Sequence, residues 1–162
     1  MAEVITESGM DFIADNTFHI EKSELYSGIG EGVRSVEFIR VIDDRLLFVE
    51  AKTSFPNPNN PSSENLEKFQ TAIEDICEKF IHSLSLFSSV KVGVTESSFP
   101  NEFVMPEKVS LNFVFVIKSH ELEWCRLVEK KLYTTFPSYM KKIWKPNIYV
   151  INQENAKKLN LT

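Results

Sequence analysis

Ser35-Val-Glu-Phe-Ile-Arg-Val-Ile-Asp-Asp-Arg-Leu-Leu-Phe-Val-Glu-Ala-Lys-Thr53 is the stretch that decides how this chain reads. Ser35 to Ile42 and Leu46 to Thr53 are rich in β-branched and aromatic residues. Asp43-Asp44 supplies turn chemistry between them, so the two halves form a β-hairpin. A turn at Asp43-Asp44 sets Ile42 against Arg45, Val41 against Leu46, Ile39 against Phe48 and Glu37 against Glu50. Directly opposed residues have Cβ atoms about 4.5–5.5 Å apart, a separation at which like charges repel. Lys52, two residues past Glu50, shares its face and stands diagonal to Glu37. Two acids and an amine therefore converge, which suits a hard divalent cation such as Mg2+ or Mn2+, bound by Glu37 and Glu50 with the Ala51 carbonyl as a further ligand. Lys52 would position or deprotonate a water, or stabilise charge building on a phosphorus centre.

Glu50 follows four apolar residues, Leu46 to Val49, and so interrupts a strand that otherwise reads as buried; burying a carboxylate is costly unless it is paired. The alternative is a half-exposed ladder of ion pairs at the rim of a sheet, worth at most about 1 kcal/mol and needing no metal. A hairpin carrying an acid, followed about a dozen residues later by an apolar strand ending in Glu-x-Lys, here Leu46-Leu-Phe-Val-Glu-Ala-Lys52, resembles the PD-(D/E)XK nuclease superfamily. The resemblance covers Ser35 to roughly Phe87. It implies a restriction-endonuclease-like core, a mixed central sheet flanked by helices. It also implies Mg2+ or Mn2+ dependence and cleavage of DNA, less often RNA. Glu37, Glu50 and Lys52 take the catalytic positions, and the following helix, which often lends a Gln or Lys to the site, offers Gln70 and Lys68. Glu37 stands where the family more often has Asp, Ser35-Val36 where it has Pro, and Glu21 and Glu24 are the stand-ins for a further N-terminal Glu. The longer Glu37 side chain fits either a working site or a member that kept the fold and lost the reaction. A silent member would act in binding or assembly of a larger complex.

The rest of the chain supplies the frame. Residues 1–17 read as polar and irregular, Phe18 to Tyr26 as a strand or short helix, and Ser27 to Gly32 as a loop whose glycines lack the dinucleotide-binding spacing. Ser54 to Ser63, with three prolines and three asparagines, is a loop. Ser62 or Ser63 caps a helix from about Glu64 to Phe87, with Leu66, Phe69, Ile73, Ile76, Cys77, Phe80, Ile81, Leu84 and Phe87 as its apolar stripe. Val90 to Val94 reads as a short strand and Val109 to Lys118 as a central one. A helix from near Glu121 ends before Pro137, and Asn147 to Ile151 is the last strand. This order predicts an α/β domain over residues 1–162, its core at about 33–151, with a mixed sheet.

At 162 residues with 43% hydrophobic content the chain has material for one core, and no apolar run is long enough to span a bilayer. Residues 1–15 carry acids and no apolar run after a basic start, so the expectation is a cytoplasmic protein with no membrane partner. Cys77 and Cys125 form no C-x-x-C pair and read as reduced core residues. His19, His82 and His120 lack ligand spacing and read as structural or surface residues. No P-loop or G-x-S-x-G elbow occurs. The net charge of −5 is uneven. From Arg126 to Lys158 eight basic residues stand against two acidic ones, a net +6 that leaves −11 for the remainder. Lys130, Lys131, Lys141, Lys142 and Lys145, with Lys68, are the candidate nucleic-acid contacts; the plainer reading makes them the solvated side of C-terminal helices. A homodimer or a partner protein completes the expected associations.

Overall fold

The computed structural model describes residues 3–162; Met1 and Ala2, the start of the stretch read as irregular, lie outside the described residues. Five strands form the main sheet in the order β3 (Thr17–Phe18), β4 (Phe38–Ile42), β5 (Arg45–Lys52), β6 (Ser110–Ile117) and β7 (Asn147–Ile151). β3 pairs with β4 and β4 with β5 in antiparallel fashion, while β5 with β6 and β6 with β7 pair in parallel, so the sheet is mixed. The β4–β5 hairpin has the register the sequence implies: Ile42 faces Arg45, Ile39 faces Phe48 and Phe38 faces Val49. Asp43 supplies the left-handed turn residue, with φ of 54°, a conformation that Asp tolerates better than most.

Alternation divides the sheet into two faces. Ile39, Val41, Leu46, Phe48, Phe113, Phe115 and Ile117 point to one side, beneath α2 (Ser63–Lys91) and α3 (Leu122–Thr135). Phe80 stacks on Phe113 with ring centroids 4.7 Å apart, and Phe87 meets Phe48 edge-on at 5.7 Å. Phe38, Leu47, Val49, Ala51, Val114 and Val116 point to the other side. That side is covered by a separate hairpin, β1 (Val4–Glu7) and β2 (Met10–Ile13), and by α4 (Gln153–Lys158).

Three expectations are corrected. Residues 3–13 are not irregular. Val4-Ile-Thr-Glu and Met-Asp-Phe-Ile13 alternate about a Ser8-Gly9 turn in which both residues have positive φ, the geometry that a tight two-residue hairpin needs. Val90–Val94 is not a strand: α2 runs on to Lys91, and Gly93, with φ of 78°, ends it by returning its N–H to the Val90 carbonyl. Phe18–Tyr26 divides among β3, a 3-10 turn at Ile20–Lys22 and α1 (Glu24–Ser27). Along α2, the stripe from Phe69 to Phe87 is buried except for the half-buried Ile81, and Leu66 lies outside the packed span.

α2 also fixes the approach to β4. The His82 Nδ1 accepts the Arg34 N–H at 3.0 Å, and the buried Ser83 Oγ accepts the Val36 N–H at 2.8 Å. Glu37 N–H also donates to the carbonyl of Val49, at 3.1 Å, although Val49 already faces Phe38, so the regular pairing ends at Phe38 and the expected direct opposition of Glu37 and Glu50 gives way to a bulge that still leaves the two acids close. Ser83→Ala leaves the buried Val36 N–H without a partner and is expected to cost about 1–3 kcal/mol in urea denaturation.

Candidate metal centre

β5 carries Glu50 and Lys52 on the α2 side, and the anchored segment before β4 brings Glu37 to the same place. Glu50 is 0% exposed and Glu37 7% exposed. The Glu50 Oε1 is held by Lys79 Nζ at 3.0 Å and lies 3.8 Å from Lys52 Nζ. Its Oε2 and the Glu37 Oε2 are buried with no hydrogen-bond partner. The Lys79 side chain is mostly enclosed, whereas Lys52 is 42% exposed and keeps its amine in reach of solvent.

Further acids arrive from the N-terminal segment. β3 pairs Phe18 with Ile39, so the chain beyond it passes Glu37, and the Glu21 N–H approaches the Glu37 carbonyl at 3.4 Å. β1 delivers Glu7. The ligand atoms of Glu7, His19 and Glu21 all lie within 4.8 Å of one another, and all three residues are half-buried. Ser8 in the β1–β2 turn donates its hydroxyl to the Ala51 carbonyl at 3.0 Å. That carbonyl points to the β4 side of β5, as the Val49 carbonyl does, so the proposed main-chain ligand is engaged by the hairpin. A cleft of about 500 Å3 lined by Glu21, Ser35, Glu78 and Lys79 opens beside the cluster.

The carboxylates hold protons unusually well. Burial, a hydrogen bond with Glu21 and the charges of Glu50, Glu21 and Glu7 push Glu37 up to about 9. Burial raises Glu50 to about 7 against the opposing pull of Lys79 and Lys52. Burial works to lower Lys79, but the Glu50 charge and hydrogen bond outweigh it, and the amine stays protonated. The two glutamates thus keep protons at physiological pH chiefly because they are buried, with neighbouring acids adding to the effect and the two cations not cancelling it.

Two expected helpers are not brought to this site. Gln70 donates to Glu74 Oε1 at 2.9 Å and stands nine residues before Lys79, about 13 Å along the helix and half a turn around it. Lys68 pairs with Glu64 at 3.1 Å on the surface. The helix does lend a cation, but it is Lys79. The available signal is a lysine on the core stripe, three residues after Ile76 and four before Ser83. Glu24 is exposed on α1. Lys130, Lys131, Lys142 and Lys145 are exposed and Lys141 sits over the Tyr133 ring at 5.0 Å, and none of these amines pairs with the carboxylate cluster among the described residues. His82 and His120 are structural, the second packed between Phe55 and Trp124, but His19 belongs to the acidic group.

Comparison with protein-family models, curated proteins and solved structures finds no match. No helix among the described residues is long and apolar enough to cross a membrane.

The raised carboxyls fix a pH dependence. In the unfolded chain Glu37 and Glu50 ionise near their ordinary values, while the folded protein binds their protons to higher pH. Stability conferred by the protonated forms is full below about 4.5 and drains away as pH rises through about 7 and then 9. In chelator-treated protein, Glu37→Gln is therefore expected to gain on the wild type from pH 5 to pH 9 by on the order of 2–4 kcal/mol in urea denaturation.

Proposed function

We propose that the chain is a divalent-metal-dependent hydrolase of nucleic-acid phosphodiesters, DNA before RNA, with a restriction-endonuclease-like core. The observation that carries this reading is the pair of buried, unpartnered carboxylate oxygens, Glu37 Oε2 and Glu50 Oε2, beside two lysine amines. A buried carboxylate oxygen without a donor is what a cation ligand looks like without its ion, and an all-carboxylate set fits Mg2+ or Mn2+. Glu37 and Glu50 would hold the ion. When bound, it would polarise the scissile phosphate and lower the pKa of a water.

The chain's own side chains do the rest. Lys79 fixes Glu50 by its Oε1, so that the other oxygen keeps one orientation. Lys52 shares the same oxygen loosely at 3.8 Å and reaches solvent, which suits it to meet a phosphate oxygen or orient a water. The exposed lysines of α3 and of the π-turn at Met140–Trp144 supply non-specific attraction to a polyanion. Topology supports the core assignment: an antiparallel hairpin carrying the acids, a long helix, then a parallel strand beside the Glu-x-Lys strand.

With Mg2+ or Mn2+, the purified protein is expected to cut double-stranded DNA, single-stranded DNA or RNA. Glu50→Gln and Lys52→Ala are expected to slow cutting by about 100-fold or more. Intact substrates under all these conditions, or variants as fast as wild type, would overturn the enzymatic reading.

One observation favours a second reading, a silent binding or assembly module on the same frame. Both glutamates are closed off from solvent, and the neighbouring cleft reaches Glu21 and Lys79 rather than Glu50. Calorimetry separates the two: a module binds no divalent ion through Glu50, so Glu50→Gln leaves the titration unchanged.

A further inference from the structure

Outside the Glu37–Glu50 pair, Glu7, His19 and Glu21 form a second group of metal-ligating side chains. His19 Nε2 faces Glu7 Oε1 at 3.3 Å, yet the approach does not form a hydrogen bond, and both atoms are buried without a partner. Two unbonded donors at that spacing match neighbouring ligands of one ion: ligand lengths of about 2.0–2.2 Å put adjacent donors roughly 3.0–3.4 Å apart. A buried acid borders this group as well, one that also belongs to the first site. Glu37 is 7% exposed, its carboxyl lies against Glu21 and feels the charge of Glu7, and its Oε2 has no partner. It is the side chain placed between this group and Glu50.

The fold builds this group from separate pieces. The Ser8-Gly9 turn ends β1 at Glu7, and the hairpin is tied to the main sheet on both sides of that turn. Ser8 Oγ bonds Ala51 O, Thr53 Oγ1 bonds Ser8 O at 3.2 Å, and Lys118 Nζ bonds Gly9 O at 2.9 Å. His19 and Glu21 follow β3 directly, and the Glu21 N–H is set on the Glu37 carbonyl. Unlike Glu50, all three residues are only half-buried, although His19 Nε2 and Glu7 Oε1 are themselves covered.

We infer that Glu7, His19 and Glu21 form a second cation site, separate from the Glu37–Glu50 pair and selective for a divalent first-row transition ion over Mg2+. The imidazole sets the selectivity, because nitrogen donors favour Mn2+, Fe2+ and Zn2+ whereas Mg2+ prefers an all-oxygen shell. The inference goes beyond the hydrolase reading and does not require it, since a module without Glu50 chemistry could still hold this ion.

Mn2+ is the probe, with binding followed by the spin-resonance signal of the free ion. The expected result is two Mn2+ per wild-type chain, one in His19→Gln and one in Glu50→Gln, with Mg2+ displacing only the ion that Glu50 holds. A single ion lost in His19→Gln and retained in Glu50→Gln also supports the second site, while removing the Glu37–Glu50 reading. Binding unchanged in His19→Gln, or a single ion lost in both variants, overturns it. Pulsed spin resonance on Mn2+-loaded wild type needs no variant to fold: nitrogen modulation from a coordinated imidazole is expected, and its absence overturns the site.

Discussion

Glu50 is an ionisable carboxylate with no exposure in the middle of a central strand, bonded on one oxygen by a lysine from the helix above. That bond sets β5 against α2: Lys79 reaches Glu50 only when the stripe carrying Phe80 sits over Phe113 and Phe87 over Phe48. Helix, strand and hairpin are thereby placed relative to one another. Removing one partner of such a pair is strongly destabilising, about 3–5 kcal/mol, yet replacing the whole pair with apolar groups of equal volume is often neutral or better. Stability alone therefore does not explain why a strand that reads Arg-Leu-Leu-Phe-Val turns to Glu at its sixth position. The same holds for Glu37, which sits where Val or Ile would pack, between Glu21 and Glu50.

The two faces of the sheet divide the work. The face under α2 and α3 holds the aromatic core and, at its β4 edge, the carboxylates. The opposite face is covered by a small aliphatic and aromatic cluster from the β1–β2 hairpin and α4. The hairpin brings Glu7 to the acids and engages the Ala51 carbonyl, so the smaller layer is part of the candidate site as well as a cover.

Much of this was legible in the sequence because it depends on local periodicity. The register of β4 against β5 follows from one turn, so the pairs from Ile42–Arg45 to Phe38–Val49 could be counted from Asp43-Asp44, but the count fails one residue further on, where Glu37 bonds Val49 instead of facing Glu50. The stripe of α2 and the bounds of β7 follow in the same way. The β1–β2 hairpin was not legible, because four-residue strands carry too few alternations and Ser8-Gly9 is a weak turn signal. Val90–Val94 looked like a strand because Val90, Val92 and Val94 alternate with Lys91 and Gly93, a run too short to exclude a helix end, and Gly93 decides the matter only once α2 is known to reach it. The meeting of Glu7, His19 and Glu21 with Glu37 is set by tertiary packing across segments that share no sequence period. Gln70 was the wrong choice on α2 for a related reason: resemblance says that a helix contributes, but the turn that lies over Glu50 depends on where the helix begins and how it crosses the sheet.

Charge counting ties the site together. Fully ionised, Glu7, Glu21, Glu37 and Glu50 carry −4, and Lys52 and Lys79 return +2. Burial, with the neighbouring acids adding to it, raises Glu37 to about 9 and Glu50 to about 7, so that without a metal two protons can offset the remaining −2. One divalent cation carries the charge of those two protons, so metal and protons compete for the same oxygens, and uptake of the first must release the second. One ion brings the cluster to neutrality; a second, on Glu7, His19 and Glu21, would leave it positive beside an open cleft. A neutral, closed cluster has no reason to attract a phosphodiester, whereas a positive one does. On the proposed reading, the chemistry open to this fold would depend on how many cations its acids hold, and through the second site on His19, which no sequence period had marked.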